Sequence, residues 1–305
     1  MRYRFFTADV FTDRVFGGNP LAVLPEAEGL DTRRMQLVAR EFNLSETAFV
    51  LPPGDPAHTR RVRIFTPAAE LPFAGHPTVG TAFVLAAIGA VPLTGEETRV
   101  VFEEGVGPVP VTVRAAGGRP AFAQLSVAKL PEFGPEPPAP AAVADALSLD
   151  VADLADGGAG VQAVSCGVPI LFVPVPDRGA LRRARVNRAA WERVLAPSWA
   201  PQVFVFTPDA ERPGSDLRAR VFAPMLGVEE DPATGAAAAA LGGYLGLRAD
   251  GGDGTLRWVV EQGFEMGRPS ILEVEADRRG GAVTAVRVGG ASVMVGEGGI
   301  EVPDS

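Results

Sequence analysis

The chain repeats itself once at long range, and no other feature constrains its fold as much. Arg61-Val62-Arg63-Ile64-Phe65-Thr66-Pro67 is echoed by Arg218-Ala219-Arg220-Val221-Phe222-Ala223-Pro224, an offset of 222 − 65 = 157 residues. Each copy alternates charged and apolar side chains, the period of a half-buried strand. His76-Pro77-Thr78-Val79-Gly80 then sits opposite Asp231-Pro232-Ala233-Thr234-Gly235, at 231 − 76 = 155. Upstream, Gly18-Asn19-Pro20-Leu21-Ala22-Val23 matches Gly167-Val168-Pro169-Ile170-Leu171-Phe172 more weakly. Three echoes in one order imply two copies of a single α/β unit. The period is too long for a solenoid. A chain of 305 residues at roughly 150 residues per domain therefore predicts two pseudo-symmetric lobes, residues 1–128 and 129–284.

Within the first unit the pattern predicts strands at residues 3–11, 21–24 and 47–51. Asp31 suits the N-cap of a helix running to Phe42, with Met35, Val38 and Phe42 on one face and Asn43 at its end. A second helix is expected over residues 77–88, closed by Gly89. Its partner is expected to start at Pro232 with Asp231 as N-cap. Residues 236–241 of that partner are small and apolar on every side, and a helix without a polar face is buried. Each lobe should therefore wrap strands around one central helix. The Pro-rich stretch 131–142 reads as a linker opening the second lobe.

Hydrophobic residues make up 47% of the chain, enough for a core in each lobe, and the formal net charge is −9. That balance argues against a nucleic-acid or anionic-membrane partner, which needs a basic face. The first ten residues read as a strand rather than an apolar leader. No run of about 18 apolar residues exists, so no membrane span is expected. A single cysteine, Cys166, forbids an intrachain disulfide and fits a reducing, cytoplasmic setting.

Three segments could carry chemistry. Glu46 stands between Ser45 and Thr47 where a helix gives way to an apolar strand. It reads either as an ordinary solvated residue or as a carboxylate at the mouth of a core, suited to acid/base work. Gly75-His76-Pro77-Thr78 lies at a helix start, where free backbone N–H groups can hold a carboxylate; His76 is either structural or functional. His58, in a Pro/Asp-rich loop, is expected to be solvated. Glu229-Glu230-Asp231 resembles a metal set, but no His or Cys cluster accompanies it and an N-cap already employs Asp231. No metal is expected. If the two helix starts face each other across the lobes, they make one anion-polarising site for an enolate-like charge.

These segments resemble the phenazine-biosynthesis isomerase family (PhzF-like proteins), which shares its fold with diaminopimelate epimerase. The resemblance is carried by Asp9-Val10-Phe11-Thr12, Phe16-Gly17-Gly18-Asn19-Pro20, Leu44-Ser45-Glu46-Thr47, Thr66-Pro67, Leu71-Pro72-Phe73-Ala74-Gly75-His76-Pro77-Thr78, Asp231-Pro232-Ala233-Thr234-Gly235, Gln262-Gly263 and Gly267-Arg268-Pro269-Ser270. It implies an α+β fold of two lobes, each a barrel-like sheet around a central helix, with a C-terminal strand near 285–305 returning to the first lobe. It also implies a homodimer, no cofactor and a small carboxylate-bearing substrate. Glu46 would be the catalytic acid/base, and Asn19, Gly75, His76, Asp231, Gly235 and Ala236 would bind substrate.

Two departures qualify what the resemblance implies. The related epimerases use two cysteines, whose places correspond to Gly75 and Ala236 here, so two-thiol racemisation is not expected. Many family members carry serine where this chain has Ala236, which removes a hydroxyl donor and leaves the substrate open. An amino-acid epimerase or racemase is an alternative that needs a second acid/base, for which His76 is the nearby candidate. A non-catalytic metabolite-binding dimer is another. A serine hydrolase is disfavoured, because Ser45 lacks a G-x-S-x-G turn.

Overall fold

The computed structural model describes residues 1–250 and 252–303. The chain divides into two compact units, Met1–Ala128 with Val288–Ser305, and Lys129–Arg287. The first is built from β1 (Arg2–Val10), β2 (Asn19–Leu24), α1 (Thr32–Phe42), β3 (Glu46–Leu51), β4 (Arg60–Phe65), β5 (Glu70–Leu71), α2 (Gly75–Ala87), β6 (Glu97–Glu104), β7 (Gly107–Ala116) and β8 (Arg119–Ser126). β1–β2 and β3–β4 pair antiparallel, while β2–β3 and β4–β6 pair parallel. α2 packs against β1, β2, β3, β7 and β8. Its residues are buried on every side from Gly75 to Ala86. So apolar a helix is stable only when enclosed, and the strands supply the enclosure. α1 forms where its caps allow: the Asp31 carboxylate accepts from the Arg34 N–H, and Asn43 closes the helix in the left-handed region.

The second unit contains β9 (Glu132–Phe133), α3 (Pro140–Ala146), β10 (Gln162–Ser165), β11 (Pro169–Pro174), α4 (Arg178–Arg183), α5 (Arg188–Val194), β12 (Gln202–Thr207), β13 (Leu217–Ala223), β14 (Val228–Asp231), α6 (Gly235–Gly246), β15 (Gly254–Gln262), β16 (Ser270–Arg279) and most of β17 (Ala282–Gly290). β11–β12 is parallel, β12–β13 antiparallel and β13–β15 parallel. This is the order of the corresponding strands in the first unit. α6 is again buried almost all round and packs on β10, β11, β15 and β16. A separate core gathers behind the sheet around Trp191, Leu181, Leu195 and Leu147. The last strand, β18 (Ser292–Glu301), belongs to the first unit and pairs antiparallel with β1 from Arg2↔Glu301 to Val10↔Ser292.

The duplication is real, and its register differs from the sequence expectation. Phe65 pairs with Thr47 of β3, and Phe222 pairs with Val203 of β12; both rings are buried. Arg63 pairs with Glu70 at 2.6 Å, and Arg220 with Glu230 at 2.7 Å. The offset is 157 for the arginines but 160 for the glutamates (230 − 70) and for the helix starts Gly75 and Gly235. The second unit spends the extra residues on a 3₁₀ turn, Pro224–Leu226, closed by Gly227 at φ 80°. The residue opposite Asp231 is therefore Leu71, not His76.

That shift corrects the expected helix starts. α6 begins at Gly235 with Thr234 at the N-cap, not at Pro232 with Asp231. Asp231 stays in the ladder opposite Val221, and its carbonyl accepts from Gln262 Nε2 at 2.7 Å. Both commitments hold it out of the helix. α2 begins at Gly75, so Pro77 lies inside its first turn, where a missing N–H costs no helix bond. The stretch 131–142 is not a linker but part of the second unit. β9 pairs with β10, Gly134 N–H donates to the Ala163 carbonyl, and α3 starts at Pro140. His58 is not solvated either: its Nδ1 lies 2.9 Å from Glu103 Oε1, and its side chain is mostly covered.

Candidate active site

β2, β3 and α2 bring one group of side chains together in the first unit. Asn19 opens β2, Glu46 opens β3 opposite Leu21, and Gly75 and His76 open α2. Asn19 and His76 are buried, and the Glu46 side chain is 16% exposed. The Ser45 hydroxyl donates to Asn19 Oδ1 at 2.8 Å. Asn19 Nδ2 lies 3.2 Å from His76 Nδ1. With the amide in this orientation, Nδ1 is the acceptor and the ring hydrogen sits on Nε2. Nε2 in turn is 3.4 Å from Glu46 Oε2.

Burial pushes the His76 imidazole down to about 3, and the Pro20 carbonyl, which favours the protonated ring, only partly opposes this. The ring is neutral at neutral pH, so its approach to Glu46 is a polar contact and not an ion pair. A carboxylate beside a buried neutral imidazole can accept a proton from carbon while the ring holds a substrate oxygen by its N–H. The first backbone N–H groups of α2 have no partner within the helix and add partial positive charge beside the pair.

The second unit holds the other expected residues in a separate local group. Asp231 ends β14, while Gly235 and Ala236 are the first two residues of α6. The Thr234 hydroxyl donates to Asp231 Oδ2 at 2.6 Å. Gln262 Nε2 donates to Thr234 Oγ1 at 2.9 Å, and the Thr234 N–H donates to Gln262 Oε1 at 3.1 Å. Ala236 is half-buried and offers only a methyl group. The three acids do not converge: Glu230 is committed to Arg220 and Asp231 to Thr234. Among the described residues no group of three or more His, Cys, Asp or Glu side chains could hold a metal. Cys166 is buried, and burial pushes its thiol up to about 12, so it supplies no thiolate at neutral pH.

Sequence reasoning passed over Thr234 and the pair Thr78–Glu104. The signal was present: Glu103-Glu104-Gly105 and Glu261-Gln262-Gly263 form a further echo at an offset of 261 − 103 = 158.

Comparison with known proteins gives the class first. The chain is 43% identical over 296 residues to an uncharacterized isomerase of Mesorhizobium japonicum, covering 95% of this chain and 96% of the relative. It is 32% identical over 298 residues to the trans-2,3-dihydro-3-hydroxyanthranilate isomerase of Pseudomonas chlororaphis, covering 98% and 99%. A crystal structure of the Bacillus anthracis phenazine biosynthesis protein of the PhzF family superposes with a TM-score of 0.87 at 25% identity, covering 99% and 100% of the two chains. The protein is an isomerase. The profile of the family described as phenazine biosynthesis-like protein matches residues 8–298, and the chain belongs to that family.

Proposed function

We propose that this isomerase moves a proton between two positions of a small carboxylate-bearing metabolite, without a cofactor, and that Glu46 is the acid/base. The observation that carries the reading is the Glu46 carboxylate 3.4 Å from the Nε2 of a neutral, buried His76. In this scheme a substrate C–H bond breaks, its proton passes to Glu46, and its electron pair delocalises toward the substrate carboxylate. Glu46 then returns the proton to a second carbon, so the product is an isomer and the enzyme is unchanged. His76 and the first N–H groups of α2 hold the oxygen on which charge builds. Asn19 holds His76, and Gly75 leaves its backbone open to substrate. Asp231, Gly235 and Ala236 are the substrate-contacting residues proposed in the second unit. We read the enzyme as a cytoplasmic homodimer, on the family's pattern and on its single buried thiol.

The test is proton exchange in D2O. trans-2,3-Dihydro-3-hydroxyanthranilate, the substrate in the Pseudomonas relative's name, heads a panel of small unsaturated and α-amino carboxylates. Deuterium at carbon is the expected result for at least one of them. Carboxylates that bind, by thermal shift, yet never take up label would replace this reading with that of a metabolite-binding protein.

A further inference from the structure

Glu104 ends β6 and is buried, with its Oε1 2.7 Å from Thr78 Oγ1. The same hydroxyl lies 2.7 Å from the carbonyl of Ala74, the N-cap of α2. A threonine hydroxyl has one hydrogen, and both contacts are hydrogen-bond length. A carbonyl cannot donate. Thr78 donating to both would share its one hydrogen in a three-centre bond, whereas a proton on the Glu104 carboxyl group gives each contact its own hydrogen. With that proton the chain would run from the Glu104 O–H to Thr78 Oγ1, and from the Thr78 O–H to Ala74 O, ending on the residue before Gly75 and His76.

The second copy of the unit supports this independently. Glu103 and Glu261 correspond at an offset of 158, and each carboxylate accepts two consecutive backbone N–H groups of one loop. Glu103 takes those of Gly54 and Asp55, and Glu261 those of Glu211 and Arg212, at 211 − 54 = 157. The next residues are Glu104 and Gln262. Gln262 is an amide, neutral at every pH, and it donates to the hydroxyl of Thr234, the N-cap of α6. Gly105 and Gly263 follow, and a Cβ on either would strike Pro72 or Pro232, the prolines that correspond at 160. One strand end thus braces one helix start twice, with an amide in one unit and a carboxyl group in the other.

We propose that Glu104 is a positioning residue: as a neutral carboxylic acid it holds the first turn of α2, and with it His76, as Gln262 holds the start of α6. Burial pushes the Glu104 carboxyl up to about 8, only partly offset by the hydrogen bond that Thr78 can donate to the ionised form. The charged groups around it are few. Arg61 and Arg63 of β4, Glu70 of β5 and Glu103 line the surface beside it. Arg63 is taken by Glu70, and Glu103 by His58 and its loop. β7 faces Glu104 with Gly107 and carries no titratable group through Pro110. α2 contributes only the neutral His76. When Glu104 ionises, the Thr78 hydrogen can serve only one of two acceptors, the brace loosens, and activity declines as pH rises through about 8.

The test compares wild type, E104Q and E104L. In the infrared difference between wild type and E104Q, a protonated-carboxyl stretch is expected at neutral pH, giving way to carboxylate near pH 8. E104Q, which copies Gln262, keeps neutral-pH turnover and lacks the alkaline decline of the wild type. E104L keeps its circular dichroism but loses turnover on the order of 10²-fold, the cost of displacing a catalytic group by about 1 Å. The same alkaline decline in E104Q, or an ionised Glu104 at neutral pH, would overturn the proposal. Its catalytic readout rests on the Glu46–His76 reading. If no variant exchanges deuterium at any pH, that reading has failed. The brace is then judged by amide exchange at Gly75, His76 and Thr78. This should quicken above pH 8 beyond simple base catalysis in wild type and not in E104Q; equal exchange in both rejects the brace. The same amides decide if E104L does not fold.

Discussion

Nε2 of His76 faces Oε2 of Glu46 at 3.4 Å, and the imidazole is neutral because it is buried. The two residues come from the second position of α2 and the first of β3, so their meeting depends on the tertiary fold. The pair divides the work by chemistry. The carboxylate can take a proton, whereas a ring whose protonation is suppressed to about 3 can only give or accept a hydrogen bond at neutral pH.

The first prediction separates those roles. Glu46→Gln should cut deuterium exchange and turnover by ~10²–10⁴-fold, the usual worth of a general acid/base, with folding and substrate binding nearly intact. His76→Ala should raise KM and lower kcat less. Wild-type exchange in Glu46→Gln together with a dead His76→Ala would assign the base to His76.

The second concerns pH. The folded-state value of His76, about 3, lies below its ordinary 6.5. Between those values the unfolded chain binds the proton and the folded chain does not. The stability linked to this group is thus fully present above about pH 6.5 and is lost as pH falls toward 3. Nitrogen-15 spectra should show a neutral ring through that window, with its hydrogen on Nε2. Unfolding of His76→Asn should be less acid-sensitive than that of the wild type. An imidazole that titrates near its ordinary value would end this account.

Much of the arrangement was legible beforehand, for identifiable reasons. Alternating charged and apolar residues around Phe65 and Phe222 gave both strands, and the all-apolar stretch after Gly235 gave a buried helix. The local rule that proline likes a helix start misled at Pro232, because strand pairing and Gln262 hold Asp231 in extended backbone. The shift from 157 to 160 was hidden by an inserted turn, which has no period of its own. The Ser45–Asn19–His76 chain could not be read at all, since its members are 26 and 57 residues apart.

Metal removal gives a third test. Glu230 is bound to Arg220, and Asp231 receives the Thr234 hydroxyl, so the acidic run is already engaged in the fold. Exchange activity should survive EDTA. Loss on chelation with recovery on adding a divalent ion would contradict it.

The fourth concerns substrate choice. Ala236 is half-buried at the second position of α6, and a serine there adds one oxygen to a side chain that still touches solvent. Ala236→Ser should cost within about 0.5 kcal/mol of stability, as surface changes do. It should also raise exchange on trans-2,3-dihydro-3-hydroxyanthranilate relative to the wild type. No gain on that compound, with other carboxylates unaffected, would remove Ala236 from the specificity argument.

The last prediction uses the duplication as its own control. Arg63–Glu70 and Arg220–Glu230 occupy the same place in the two units at nearly equal distances, 2.6 and 2.7 Å. Their surroundings differ. Arg63 and Glu70 are 17% and 38% exposed, whereas Arg220 is 4% exposed. Arg220 also donates to the carbonyls of Leu181 and Ala184 at the C-terminal end of α4, acceptors that a helix end leaves unpaired. Removing Arg63 returns Glu70 to water and costs about 0–1 kcal/mol. Removing Arg220 leaves Glu230, 17% exposed, without its partner and two buried carbonyls without a donor, and each buried acceptor left unsatisfied costs about 1–3 kcal/mol. Arg220→Ala should therefore lower the urea midpoint far more than Arg63→Ala. Unequal burial, not unequal distance, is the cause, so equal losses from the two substitutions would refute it.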